Sequence, residues 1–196
     1  MAVSCIVMAS GMSKRMNENK LLLTLNKKMI FEYILDTISR IDFDEVIVVT
    51  RFKEIIDYSK KYKYKVVINK NFEEGQASSI RLGVNSAKKN NDYMFFVADQ
   101  PFIREKTINY ILEKNKENKG KIIVPYYNGL KGNPVVFGNI FRKDLLNLSG
   151  DKGGSIVIKQ NKDRVKNIFI KTEDSFENFD IDNKKDYEVL KRKYEK

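Results

Sequence analysis

Ala2-Val-Ser-Cys-Ile-Val-Met-Ala9, closed by Ser10 and Gly11, is a nearly unbroken apolar run that stops on two small residues. A half-exposed strand would alternate apolar with polar side chains. A run like this one reads as a strand covered on both faces, as in a parallel sheet. Similar short runs follow at residues 46–50, 65–68, 93–98, 121–126 and 134–137. Between the earlier ones, the spacing predicts helices over residues 30–40, 52–61, 77–89 and 103–116. Strands alternating with helices of that length imply right-handed βαβ units and a mainly parallel α/β sheet packed on both sides. After residue 120 the alternation loosens. Residues 125–134, with Gly129 and Gly132, read as a loop or short antiparallel ribbon, 165–170 as a further strand and 184–193 as a closing helix. In open α/β sheets ligands sit beyond the carboxyl ends of strands, so the residues just after each run are where chemistry is expected.

The composition sets limits on that chemistry. At 196 residues, 42% of them hydrophobic, the chain suits one domain over residues 1–196 with a substantial core. It has no histidine, no tryptophan and one cysteine, Cys5, which reads as a small core residue of the first strand. Histidine-based triads, histidine-ligated zinc, CxxC redox pairs and internal disulfides are therefore excluded. Carboxylates remain as metal ligands, and hard oxygen donors favour magnesium or manganese. The formal charge is +11, which raises the possibility of a polyanionic partner. Residues 1–98 carry 16 basic and 11 acidic side chains, and the remainder 21 and 15, so the excess is spread evenly. With 29 of the 37 basic residues being lysine, compositional bias is favoured over a nucleic-acid footprint. The longest uncharged stretch, Met1 to Ser13, is too short to span a bilayer and lacks a charged leader. The expectation is a cytoplasmic protein with neither nucleic acid nor membrane as partner.

Four segments carry candidate chemistry. Ala9-Ser-Gly-Met-Ser-Lys-Arg-Met16, followed by Lys20, places small residues directly after a buried strand. Backbone N–H groups there can approach a phosphate, with Arg15 and Lys20 adding positive charge. The segment matches neither GxxxxGK[ST] nor GxGxxG, and a tight surface turn is the competing reading. In Asn71-Phe-Glu-Glu-Gly-Gln-Ala-Ser-Ser-Ile-Arg-Leu-Gly83, Gly75 ends a loop and Ser78 and Ser79 open a helix, either as ligands of a base or phosphate or as ordinary caps. Ala98-Asp-Gln-Pro101 sets a carboxylate at the end of an apolar strand, a position suited to magnesium and equally common in turns. In Asn178-Phe-Asp-Ile-Asp182 the two aspartates share a side if the segment is extended; the alternative is a solvated start to the last helix.

Met8-Ala-Ser-Gly-Met-Ser-Lys-Arg-Met-Asn-Glu-Asn-Lys-Leu-Leu-Leu23 resembles the AAGxSxRMGxxKLLL signature of molybdenum cofactor nucleotidyltransferases, nearest to the cytidylyltransferase branch. Ser10 stands for the second alanine and Asn17 for the glycine. The Ser78-Ser79-Ile80-Arg81 run and Asp99-Gln100-Pro101 are similar to further family motifs. So are residues 131–137, with Asn133 where histidine is frequent, and 150–154, followed by Ser155 where arginine is frequent. Residues 178–186 resemble the closing D-x-D-T-P-x-D motif, with Asn183 and Lys184 replacing Thr and Pro. Together these matches span most of residues 2–190 in the family order.

The resemblance implies a three-layer α/β/α fold with a mostly parallel mixed sheet, like the nucleotide-diphospho-sugar transferases. It implies transfer of CMP from CTP to the terminal phosphate of molybdopterin, releasing pyrophosphate, with a molybdoenzyme receiving the product. Arg15, Lys20 and Asp99 would be catalytic. Ala9, Ser10, Gly11, Ser13, Gly75, Ser78 and Ser79 would complete the nucleotide site, and Gly132, Asn133, Pro134 and Gly153 would hold the acceptor. Asp99 and Asp182 would bind Mg²⁺ or Mn²⁺. The alternatives are a relative that uses GTP or a sugar or polyol phosphate, a nucleotide-binding cofactor chaperone of low turnover and, from charge alone, a nucleic-acid-binding module.

Overall fold

A first strand with apolar side chains on both faces needs two interiors, and the fold supplies them. In the computed structural model, which describes residues 2–13, 16 and 18–195, the chain begins with β1 (Val3–Ala9). It continues through a hairpin of β2 (Thr24–Leu25) and β3 (Lys28–Met29), then α1 (Ile30–Ile38), β4 (Glu45–Thr50), α2 (Lys53–Lys61), β5 (Lys65–Ile68), α3 (Gln76–Ser86), β6 (Asp92–Val97) and α4 (Glu105–Glu117). The second half adds β7 (Ile122–Tyr127), β8 (Leu130–Lys131), β9 (Val135–Phe137), α5 (Arg142–Leu146), α6 (Ser155–Gln160), β10 (Val165–Ile170) and α7 (Lys184–Tyr194). The main sheet has the order β10-β7-β9-β6-β1-β4-β5, with β8 attached to β7. All neighbours on the β6-β1-β4-β5 side are parallel, as are β10 and β7, whereas β9 runs against both β6 and β7. The expected mixed, mostly parallel sheet is what forms.

The two faces of β1 build separate cores. Val3, Cys5, Val7 and Ala9 pack with Phe31, Ile34 and Ile38 of α1, Ile55 of α2 and Ile108 and Ile111 of α4. Ile6 packs on the other side with Ala77, Ile80 and Val84 of α3, Leu145 of α5 and Val157 of α6. That is a three-layer α/β/α arrangement, and each fully buried Ile or Phe adds about 1.5–3 kcal/mol to its stability. Gly83 lets α3 lie close on the sheet, since a Cβ there would stand 2.5 Å from Ile6 Cγ2. A third cluster, around Met16, Leu25, Ile30, Ile181 and Leu190, fastens α7 and the segment before it to the β2–β3 hairpin.

Several elements depart from the sequence expectation. Helix α3 ends at Ser86 rather than 89, because the Lys88 N–H donates to Glu45 and its ammonium pairs with Asp44, drawing the chain off the helical path. The β2–β3 hairpin and the short helices α5 and α6 were not anticipated. In the hairpin, Asn26 and Lys27 both adopt positive φ (49° and 63°), the two-residue turn that usually announces itself as Asn-Gly.

Candidate active site

From β1 the chain steps one way to β4 and β5, then crosses back to β6 on the other side of β1. The crevice at such a reversal, beyond the strand ends, is a natural ligand site. Ser10 and Gly11 enter it from β1, and Ala98 and Asp99 from β6, whereas Ala9, expected at the nucleotide, is buried in the core against α1 and does not line the crevice. Both turns are tied down by their neighbours. Thr50 Oγ1 donates to the Ala9 carbonyl (2.9 Å), Ser10 Oγ to the Val49 carbonyl (3.0 Å) and the Ala98 N–H to the Met8 carbonyl (3.2 Å).

Lys20 reaches this crevice because its own backbone is fixed. Its N–H donates to Ser13 Oγ (3.2 Å), Asn19 caps the short turn through the Leu21 N–H (3.1 Å), and Leu21 is buried. The ammonium lies 2.5 Å from Asp99 Oδ2 and 3.3 Å from Asp182 Oδ1, with the lysine side chain only 14% exposed. Burial opposes its charge, but the Asp99 and Asp182 carboxylates outweigh that and hold its pKa above the ordinary lysine value. Asp182 is delivered by the segment preceding α7. The Ile181 N–H donates to the Asp99 carbonyl (3.2 Å), Ile181 itself is fully buried, and Asp186 accepts from the N–H groups of Asp182 and Asn183 (2.9 Å each). Asp180 completes the acidic group. Burial first, and then the charges of Asp99 and Asp182, push its carboxyl up to about 6, against a Gln100 hydrogen bond and the Lys20 charge.

Among the described residues no three acidic side chains already form a metal cage. Two carboxylates completed by substrate phosphate oxygens are nonetheless the set magnesium commonly uses. Arg15 and Asn17 lie outside the described residues.

The other wall is a serine network built on Asn69, a fully buried residue directly after β5 that the sequence reading passed over. Its Nδ2 donates to Ser78 Oγ (2.9 Å) and Ser79 Oγ (3.0 Å), and its Oδ1 accepts from the Asn71 N–H (3.0 Å). Ser79 faces the crevice, 3.5 Å from Ser10 Oγ. Ser78 does not, because its hydroxyl donates inward to the Gly75 carbonyl (2.9 Å). Ser78, expected beside the nucleotide, therefore braces the loop. Gly75, at φ +81°, is the one residue type that fits, since a Cβ would stand 2.0 Å from Asp151 Oδ1. This close approach seats the 150–154 turn against the loop.

Lys20, Asp99, Asp182, Ser10, Gly11, Ser13, Gly75 and Ser79 thus line one cavity of about 370 Å³. A second, of about 290 Å³, opens beside it and shares Met8, Gln76 and Val97 as common wall. Gly132, Asn133 and Gly153 line this second half; Pro134 is buried and is not part of the wall. The wall contains Phe95, Phe137, Lys131 and Ser155 but no carboxylate. Burial, and then the charge of Lys159, lower the Lys131 pKa below the ordinary lysine value. Asn178 joins the halves, accepting from Gln100 Nε2 and from the Asn133 N–H at 3.3 Å each.

The fold and the crevice define an α/β protein of the nucleotide-diphospho-sugar transferase type. Solved structures of similar shape agree: Rv0371c from Mycobacterium tuberculosis H37Rv superimposes with a TM-score of 0.83 at 22% identity, covering 98% of each chain. A complex of that protein with manganese gives 0.78 at 20% identity over 98% of this chain and 99% of that one. A nucleotidyl transferase from Methanothermobacter thermautotroptrophicus gives 0.81 at 22% identity over 98% and 97%. The profile of the MobA-like NTP transferase domain matches residues 5–165, and the chain belongs to that family. A relative named probable molybdenum cofactor guanylyltransferase, from Natranaerobius thermophilus, is 33% identical over 128 residues, which is 65% of this chain and 62% of that protein. No helix among the described residues is long and apolar enough to cross a membrane.

Proposed function

We propose that the protein is a nucleotidyltransferase that passes a nucleoside monophosphate from an NTP to the terminal phosphate of a molybdopterin-type acceptor. The observation that carries this reading is the division of one crevice into two unlike halves with a shared wall. One half holds Lys20, Asp99 and Asp182 beside a turn of small residues; the other mixes Phe95, Phe137, Ile80 and Val135 with Gln76, Asn133 and Ser155, has no carboxylate among the described residues and is edged by Lys131. The first suits a triphosphate, and the second an acceptor with a flat, weakly polar body and an anionic group.

An acceptor phosphate oxygen forms a bond to the α-phosphorus while the bond from that phosphorus to the β-bridging oxygen breaks, and pyrophosphate leaves with the electron pair. The attacking phosphate is already ionised near neutral pH, so the chain supplies alignment and charge neutralisation and needs no protein nucleophile. Lys20 neutralises phosphate oxygens; Ser10, Gly11, Ser13, Gly75 and Ser79 orient the nucleotide, with Arg15 as a second cation. Asp99 and Asp182 would hold Mg²⁺ or Mn²⁺, which stabilises charge on the triphosphate and the leaving group.

CTP is the proposed nucleotide, on the strength of the Lys20-Leu-Leu-Leu23 and Ser78-Ser-Ile-Arg81 segments. The guanylyltransferase name of the Natranaerobius relative favours GTP as the second reading. Kinetics with each of the four NTPs, Mg²⁺ and molybdopterin separate the two. The expected result is a kcat/KM for CTP at least tenfold above that for GTP. The reverse order makes GTP the substrate.

A further inference from the structure

The phosphate end of the first cavity has its cation and carboxylates; its opposite end has an aromatic ring with no assigned role. Phe72 is the one aromatic side chain in that wall among the described residues. It follows β5, whereas Asp99 follows β6, and β4 and β1 lie between them in the sheet. The two strands themselves are three strand spacings, about 14 Å, apart in the sheet, a span that can separate a base from its reacting phosphate.

The ring is also held ready. The Arg51 guanidinium sits between two rings, 4.0 Å from the Phe72 centroid and 4.4 Å from that of Phe52. The short turn bearing Phe72 is braced at both ends. The Asn71 N–H donates to the buried Asn69 (3.0 Å), and Glu74 pairs with Arg81 (2.6 Å), which in turn donates to the Leu148 carbonyl (2.7 Å). A half-buried ring, backed by a cation on one face and fixed to a cavity wall, is how proteins prepare a stacking surface.

We infer that Phe72, backed by Arg51, is the platform on which the nucleobase stacks. The inference rests on the reading of the cavity as a nucleoside triphosphate site. Because every base has a π-face, such a platform accepts purine and pyrimidine alike. Selection between them then falls to polar groups of the same wall, Ser79 and Asp151 among them. Phe72 is thus an affinity residue for the base and contributes nothing to the phosphates.

Calorimetric titration of the full chain with CTP, GTP and inorganic tripolyphosphate, each with Mg²⁺, tests this on wild type, Phe72→Leu and Phe72→Trp. Stacking contributes about 1–3 kcal/mol per base, roughly 5- to 150-fold in affinity. Phe72→Leu is expected to weaken both nucleotides by at least fivefold and leave tripolyphosphate within twofold of wild type, and Phe72→Trp to restore nucleotide binding. Equal weakening of nucleotide and tripolyphosphate, or no weakening of either, overturns the inference. Failure of wild type to bind any of the three overturns the triphosphate reading beneath it as well.

Discussion

Lys20 is the residue around which the site is organised. Its ammonium holds two carboxylates that are 83 residues apart in sequence, Asp99 and Asp182, and its backbone is pinned by Ser13 and the Asn19 cap. Removing it takes away the cation proposed to meet the phosphates and leaves Asp99, Asp180 and Asp182 to repel one another. Lys20→Ala is expected to lower kcat/KM at least tenfold, about 1.4 kcal/mol of transition-state stabilisation. An unchanged kcat/KM would take Lys20 out of the site. Single residues were unequally legible in the sequence. Asp99 could be found because it follows an apolar strand, and the same rule applied to Asn69, which was missed because asparagine after a strand looks like any turn. The inward turn of Ser78 depends on the Gly75 carbonyl and on Asn69, a contact that no local pattern announces.

At the scale of elements, the decisive piece is the segment from β10 to α7, which carries Asp180 and Asp182 across the Asp99 turn. It is clamped at Asp174, which accepts from the Phe176 N–H (3.0 Å) and pairs with Lys193 (3.1 Å) and Arg104 (3.2 Å), while Phe102 and Tyr194 stack at 4.4 Å. Burial opposes ionisation of Asp174, but the Phe176 N–H, Lys193 and Arg104 outweigh it and hold its carboxyl below the ordinary 3.8. A carboxyl lowered by folding adds stability that is fully present above that ordinary value and is lost as pH falls through the lower, folded one. Urea midpoints of wild type and Asp174→Asn should therefore differ at pH 6 and converge as pH falls below about 4; a gap that stays constant through that fall would refute the clamp. Helix α3 makes a second prediction. Gly83→Ala drives a Cβ into the buried Ile6 and should cost about 1–3 kcal/mol of unfolding free energy; a variant as stable as wild type would show that the helix can lift. The elements of the parallel half were readable because each carries its own period and its own stop. The β2–β3 hairpin was not, since Asn26-Lys27 lacks the glycine that marks its turn, and α5 and α6, at five and six residues, are too short for a helical period to emerge.

For the molecule as a whole, sequence order sets the site. Because the chain visits β4 and β5 before returning to β6, the first turn and the Asp99 turn become neighbours, and the late segments 131–137, 150–154 and 178–186 close round them. The absence of histidine fits a transfer whose nucleophile arrives already ionised. Of the +11 charge, two placed lysines matter most here: Lys20, balanced by carboxylates, and Lys131, on a wall that has none. What remained hidden in the sequence at this scale was the shared wall of Met8, Gln76 and Val97, three residues from three elements with no motif between them. The central claim is that the two halves work on one another's ligands, and the most direct test is pyrophosphate release measured with CTP and Mg²⁺, with and without molybdopterin, on wild type and Asp99→Asn. Wild type is expected to release pyrophosphate only when the acceptor is present, one molecule for each dinucleotide formed, and Asp99→Asn to fall at least a hundredfold. Release independent of acceptor, or an Asp99→Asn variant as fast as wild type, would contradict that claim.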